Sequence, residues 1–94
     1  MPFEEIDVDE EIDNLLAAVA DEMSRAIKLY PAIPSLHAGV AIVWEEFIEF
    51  RDEVFKKPDN RNLEELRKEA VQVAAMALRT ILDVCPTGKE KLQG

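Results

Sequence analysis

Residues 44–54 read Trp-Glu-Glu-Phe-Ile-Glu-Phe-Arg-Asp-Glu-Val, a stretch in which carboxylates interrupt a run of large apolar side chains. At about 100° per residue, Glu46, Glu49 and Glu53 fall on one helical stripe roughly 60° wide, with apolar side chains beside it. Like charges one turn apart repel each other, and a hard divalent cation would remove that cost because the nearby ligands are all oxygen. The stretch therefore predicts a helix with a candidate cation site. A solvated acidic face is the competing interpretation, since glutamate is common on helix surfaces.

The size and charge of the chain limit its class. Ninety-four residues correspond to one domain, and 20 acidic against 11 basic residues give a net charge of −9. That charge argues against a general nucleic-acid or anionic-membrane surface. No secretory leader or run of about 18 apolar residues is evident, so we expect no membrane partner and a cytoplasmic location. The single cysteine, Cys85, is expected to have a packing or helix-terminal role.

The spacing of apolar residues predicts three helices. They cover about residues 7–30, 36–56 and 63–84, with an N-terminal arm at 1–6 and a tail at 86–94. Pro31 is expected to stop the first helix and Ser35 to cap the second, while Asn62 or Asp59 caps the third.

Short connections between these helices predict an all-α fold, an antiparallel helical bundle of three main helices in a single domain, 1–94. The apolar residues of the second helix cover most of its circumference, so we expect it to be the central helix. The apolar cover of the second and third helices together is more than one chain can bury. We therefore expect homo-oligomer packing, as a homodimer or homotetramer, to complete the bundle.

Two acidic motifs on neighbouring helices resemble a known family. Glu45-Glu46-x-x-Glu49, followed after a polar loop by Glu69-x-x-Gln72, is similar to the motif of the MazG-like superfamily of all-α nucleoside triphosphate pyrophosphohydrolases. The family pattern is Glu-Glu-x-x-Glu followed by Glu-x-x-Asp. The segments 34–39 and 66–79 also look like a small MazG-like branch, and the likeness extends over about residues 21–83.

The resemblance implies hydrolysis of a nucleoside or deoxynucleoside triphosphate to the monophosphate and pyrophosphate, with Mg²⁺ as cofactor and Mn²⁺ as a substitute. By position, it assigns Glu46, Glu49 and Glu69 as metal ligands and Glu49 as the catalytic base. Gln72 stands where the family has aspartate and is expected to offer the metal a carbonyl oxygen without charge. Three further carboxylates are possible additions to the site, namely Glu45, Glu53 and Glu65.

Basic and aromatic side chains are candidates for holding the rest of a nucleotide. Arg79 shares a helical face with Glu69, so we expect Arg79 and Lys68 to bind phosphate, with a salt bridge to Asp83 as the alternative role for Arg79. Lys56, Lys57 and Arg61 are weaker candidates for the same role. Trp44 or Tyr30 could stack on a base, although core packing is the commoner role of such residues, and His37 is expected to cap or pack.

A second function remains open alongside the enzyme. Because Gln72 removes a charge from the motif, the chain is alternatively a catalytically weak bundle that binds nucleotide or metal, or an oligomeric interaction protein. A helical DNA-associated regulator is disfavoured by the acidic charge and the absence of a basic helix.

Overall fold

A computed structural model of the chain describes residues 7–85. Within that range the chain forms α1 (Val8–Leu29), α2 (Leu36–Val54) and α3 (Leu63–Val84), with a short 3₁₀ turn at Pro58–Asn60, and no strand. The predicted all-α fold with three main helices is confirmed. The predicted arm at 1–6 and tail at 86–94 lie outside the described residues. None of the described helices is long and apolar enough to cross a membrane.

Polar caps set the starts of all three helices. Asp7 caps α1 by accepting a hydrogen bond from the Glu10 amide. Ser35 Oγ accepts from the Ala38 amide at 3.1 Å, and Asn62 Oδ1 accepts from the first-turn amides of α3. The predicted caps Ser35 and Asn62 are therefore confirmed, while Asp59 lies in the 3₁₀ turn. α2 ends at Val54, two residues before the predicted end at residue 56, as the chain turns towards Pro58.

The central helix is α3 and not α2 as predicted, because α1 and α2 each pack against α3 and not against each other. Much of the apolar surface of α2 stays exposed instead of packing against α1. Arg67 near the start of α3 pairs with Glu11 near the start of α1, and Arg79 reaches Ala26 near the end of α1. α1 and α3 are therefore parallel. α2 runs antiparallel to both, as an up-down-up bundle requires.

α2 packs closely against α3 at Gly39. A Cβ atom on this buried glycine would lie 2.5 Å from Thr80 Cγ2, so any side chain there would push the helices apart. Thr80 is held in place by a hydrogen bond from its Oγ1 to the Met76 carbonyl at 2.8 Å. This contact fixes the register in which the acidic residues of α2 face α3.

Arg79 joins the end of α1 to α3. Its guanidinium is buried, at 4% exposure, and donates to the carbonyls of Ala26, Tyr30 and Pro31 at 2.8–3.0 Å. Nε donates to Asp83 Oδ2 at 3.0 Å, which confirms the predicted alternative of a salt bridge. Asp83 also accepts from the backbone N–H of Ile33 at 2.9 Å, so the α1–α2 connection is fastened to α3. Arg79 therefore satisfies the carbonyls of Tyr30 and Pro31 just beyond the end of α1, and it shares the Ala26 carbonyl with the backbone N–H of Tyr30.

The apolar core of the described residues is small. Ala26, Ile33 and Ala75 are its buried members, whereas many large side chains remain accessible. The exposed large apolar residues are Val8, Ile12, Leu16, Ile27, Leu29, Tyr30, Leu36, Val40, Trp44, Phe47, Phe55, Leu63, Leu78, Ile81 and Leu82. Exposed apolar surface on this scale is typical of chains that bury it against a partner.

Candidate functional site

Three carboxylates from two helices converge in the middle of the bundle. Glu46 and Glu49 of α2 and Glu69 of α3 each present an oxygen, and these oxygens lie within 4.8 Å of one another. Glu46 and Glu69 are partly buried, while Glu49 is exposed. They are brought together because α2 and α3 are antiparallel and each contributes glutamates on the facing side. The structure thus groups the three residues that the sequence motif assigned as metal ligands.

Gln72 connects two of these carboxylates. Its hydrogen-bonding surroundings orient the amide so that the nitrogen donates to Glu46 Oε2 and Glu69 Oε2, each at 3.2 Å. In the opposite orientation the amide oxygen would face two other acceptors. Gln72 therefore lies beside Glu46 and Glu69, and its surroundings favour the orientation in which the amide nitrogen faces them; its expected role as an oxygen ligand to a bound metal stays a prediction.

The three additional carboxylates are not members of this group. Glu53 is buried, at 7% exposure, and accepts from Lys56 Nζ at 2.7 Å and from the Asn62 amide at 3.2 Å. The hydrogen bond from Lys56 is the main reason that the pKa of Glu53 is below its usual value. Glu53 thus fastens the α2–α3 connection. Glu45 is exposed, and Glu65 acts on the site through its charge.

The grouping shifts the protonation of its members. Burial, followed by the charge of Glu49 and a hydrogen bond with it, raises the pKa of Glu46 to about 7. Burial also raises the pKa of Glu69, with Glu49 and Glu65 adding to the effect. Carboxylates crowded in a partly dry site resist ionisation together, and a bound cation would reverse this.

A cavity of about 590 Å³ opens beside the carboxylates, between α2, α3, the second half of α1 and the α1–α2 connection. That volume is within the usual range for small-molecule sites. One part of its wall is acidic and another is apolar. The lining residues are Glu22, Arg25, Ala26, Tyr30, Pro31, Ala32, Ile33, Pro34, Ile42, Glu46, Glu49, Lys68, Glu69, Gln72, Met76 and Arg79.

Both predicted phosphate ligands line this cavity, with different freedom to act. Lys68 is exposed next to Glu69, and no ion pair or hydrogen bond engages its ammonium within residues 7–85. Arg79 makes four hydrogen bonds within the described residues, which leaves one of its five N–H groups uncommitted. The structure therefore shows Arg79 chiefly as the residue that shapes the cavity wall.

The aromatic candidates occupy different places. Tyr30 lines the cavity and is 61% exposed, so it does not serve as a core residue. Trp44 is outside the cavity, 60% exposed, with its ring centroid 6.1 Å from that of Phe47. His37 is exposed near the start of α2, and Cys85 is exposed at the end of α3. Of the two aromatic residues considered for base stacking, Tyr30 is the one in position.

Glu22 and Arg25 line the cavity from α1 and were missed by the sequence analysis. Their side chains form a two-pronged ion pair, Nε to Oε1 at 3.3 Å and Nη2 to Oε2 at 2.5 Å. The hydrogen bond with Glu22, with a smaller contribution from Tyr30, raises the pKa of Arg25 above its usual value. The available signal was Ala26, a small residue that marks the face of α1 against α3.

No family model, curated protein or solved structure matches this chain. The likeness to the MazG-like superfamily therefore rests on the motif in the chain itself.

Proposed function

We propose that this protein is a MazG-like, Mg²⁺-dependent pyrophosphohydrolase that converts a nucleoside or deoxynucleoside triphosphate to the monophosphate and pyrophosphate. The observation that supports it most is the convergence of Glu46, Glu49 and Glu69 beside a cavity of about 590 Å³. The carboxylates come from two helices and line one cavity, which distinguishes them from an acidic face on a single helix.

The donor set fits a hard divalent cation. All three groups are carboxylates, and a rotation of their side chains would bring the oxygens, now within 4.8 Å of one another, to the spacing of ligands around Mg²⁺ or Mn²⁺. No histidine or cysteine lines the cavity, so softer metals are not favoured. Three protein ligands leave coordination positions for water and for phosphate oxygens.

Residues of the chain would supply the catalytic base and hold the phosphates and the nucleobase. When bound, Mg²⁺ supplies charge neutralisation for the triphosphate and lowers the pKa of coordinated water. Glu49, the exposed member of the group, is the proposed base that accepts the proton of the attacking water. Lys68 would attract the phosphate chain, and Tyr30 would stack against the base. Arg79 holds the cavity wall that carries Tyr30.

Gln72 supports the alternative function, a bundle that binds metal or nucleotide with little turnover. By donating to Glu46 and Glu69 it stabilises the ionised site without any cation, which lessens the gain from binding one. It also cannot act as a base. The two functions differ in whether monophosphate is formed.

Product analysis distinguishes them. Wild type and Glu49→Gln would be incubated with Mg²⁺ and each common NTP and dNTP, and the products separated by chromatography. The proposal predicts monophosphate and pyrophosphate with wild type only. Orthophosphate as the first product would contradict the assigned reaction, and a folded protein without turnover would favour the binding function.

We also propose that a second copy of the chain covers the exposed stripe on α2, formed by Leu36, Val40, Trp44 and Phe47. These residues recur at helical spacing and are all uncharged. Two copies of a chain with net charge −9 repel each other across their acidic surfaces, so an uncharged stripe is where they can come into contact. The 19 residues of α2 form a helix about 28 Å long. A helix pair of that length, together with flanking residues, approaches the roughly 800 Å² per partner of a stable interface.

A further inference from the structure

The cavity has a second polar feature on its α1 side, the ion pair between Glu22 and Arg25. Glu22 is well covered, with 19% of its side chain exposed, whereas 53% of Arg25 is exposed. Arg25 uses Nε and Nη2 towards Glu22, and no bond within the described residues engages Nη1. The N–H groups of Arg25 Nη1 are therefore free to donate, and beside them each carboxylate oxygen of Glu22 can accept a further hydrogen bond.

This pair lies away from the three carboxylates. Gln72, which touches Glu46 and Glu69, is seven residues before Arg79, and this spacing is about 10 Å along α3. Arg79 in turn donates to Ala26 and Tyr30, one and five residues beyond Arg25. Because α1 and α3 are parallel, Arg25 and Glu22 lie about 2 and 6 Å back along the bundle from Ala26, on the side towards the carboxylates, so phosphates held at the carboxylates would place the base beside the pair and Tyr30.

The charge of the pair decides which part of a nucleotide suits it. A phosphate approaching Arg25 would also meet the Glu22 carboxylate, and the repulsion would cancel much of the attraction. A neutral base edge that carries both an amino group and a carbonyl or ring nitrogen can instead donate to Glu22 and accept from Arg25. Polar groups of this kind fix orientation and provide specificity in an otherwise apolar site.

We propose that Glu22 and Arg25, with Tyr30 stacking beside them, bind the hydrogen-bonding edge of the nucleobase and determine which nucleotide the cavity accepts. This inference rests on the proposed function, because it takes the ligand to be a nucleoside triphosphate held at Glu46, Glu49 and Glu69.

The test compares two ligands by titration calorimetry in Mg²⁺, the best-bound nucleoside triphosphate and inorganic triphosphate, which has no base. Glu49→Gln serves as the common background, so that turnover does not interfere. Arg25→Gln and Glu22→Gln are the variants, with circular dichroism to check folding. The control is Arg67→Gln, which removes an arginine that is also 53% exposed and ion-paired but lies outside the cavity.

Loss of a hydrogen bond to a charged group corresponds to about tenfold or more in affinity. We expect Arg25→Gln and Glu22→Gln to weaken nucleotide binding by about that factor, to change inorganic triphosphate binding less than twofold, and to alter the ranking of the bases. Arg67→Gln should change neither ligand. Equal weakening of both ligands would make Arg25 a phosphate residue and overturn the inference, as would nucleotide binding that neither variant alters. If wild type neither binds nor turns over either ligand, the proposed function and this inference both fail.

Discussion

Replacing Gln72 by aspartate would complete the motif that the chain resembles and place a fourth carboxylate against Glu46 and Glu69. In the amide orientation that its surroundings favour, the Gln72 nitrogen donates to both of them at 3.2 Å. The substitution removes these two hydrogen bonds and introduces a like charge in their place. Without metal, Gln72→Asp should therefore be destabilising, and with metal it should be tolerated or favourable.

The magnitude follows from the two effects. Each hydrogen bond contributes about 1 kcal/mol or more, and two charges about 5 Å apart repel by about 3 kcal/mol at an effective dielectric constant of about 20. Solvent at the cavity mouth and a further rise in the pKa of Glu46 reduce the repulsion. A net loss on the order of 3 kcal/mol at pH 8 remains, which lowers the Tm of a domain of this size by on the order of 15 °C.

Thermal unfolding with EDTA and with saturating Mg²⁺ measures both parts of this prediction. The matched control is Asn14→Asp, which adds the same charge on an exposed position of α1. Gln72→Asp should lose far more stability than the control in EDTA and gain more from Mg²⁺ than wild type. Equal Tm values for Gln72→Asp and Asn14→Asp under both conditions would refute the assigned environment of Gln72.

Three further predictions concern protonation, self-association and the α1–α3 connection. The pKa of Glu46 is raised from 4.5 to about 7, so the stability of the metal-free protein should fall as pH rises from about 4.5 to 7, by on the order of 2 kcal/mol after allowance for partial exposure. Over the same range the stabilisation by Mg²⁺ should grow. Urea unfolding with and without Mg²⁺ measures both effects, and a stability that does not change with pH would contradict the assigned pKa. Trp44 has 60% of its surface exposed, and burying this exposed area of about 90–150 Å² in a dimer would contribute about 2–4 kcal/mol. Trp44→Glu should therefore shift the protein towards monomer in analytical ultracentrifugation. A wild-type protein that stays monomeric at high concentration would exclude the proposed interface. Arg79→Leu removes four hydrogen bonds and leaves Asp83 without its ion pair, so the free energy of unfolding in urea should fall by about 3–5 kcal/mol. Arg67→Leu removes a surface ion pair and should lower it by about 1 kcal/mol or less. Similar losses for the two variants would contradict the role of Arg79.

Much of the fold followed from local patterns in the chain. Helical periodicity, Pro31 and the caps at Ser35 and Asn62 act over a few residues, so the sequence was sufficient to place the helices. Spacing along the helix placed Glu46 and Glu49 on one face, and the resemblance added Glu69, which the structure brings beside them. Whether the helices assemble with a second copy stays a prediction.

Contacts between distant parts of the chain were harder to predict. The donor role of Gln72 depends on two carboxylates that arrive from different helices, and the burial of Arg79 depends on where α1 ends. By spacing, Glu53 belongs to the acidic stripe of α2. In the structure it instead accepts a hydrogen bond from the backbone N–H of Asn62 and so holds the α2–α3 connection in place. The Glu22–Arg25 pair is an ordinary surface pattern in sequence and becomes part of a cavity only through the packing of α1 on α3.

The central claim is that Glu46, Glu49 and Glu69 together hold a divalent cation. Mn²⁺ titration of the nucleotide-free protein, followed by electron paramagnetic resonance of the unbound ion, tests it most directly. Wild type should bind Mn²⁺ with an affinity that falls at least tenfold in Glu46→Gln and in Glu69→Gln but not in Glu64→Gln, which removes an exposed carboxylate at the start of α3. Binding that is equally weak in all four proteins, or equally strong in all four, would contradict the claim.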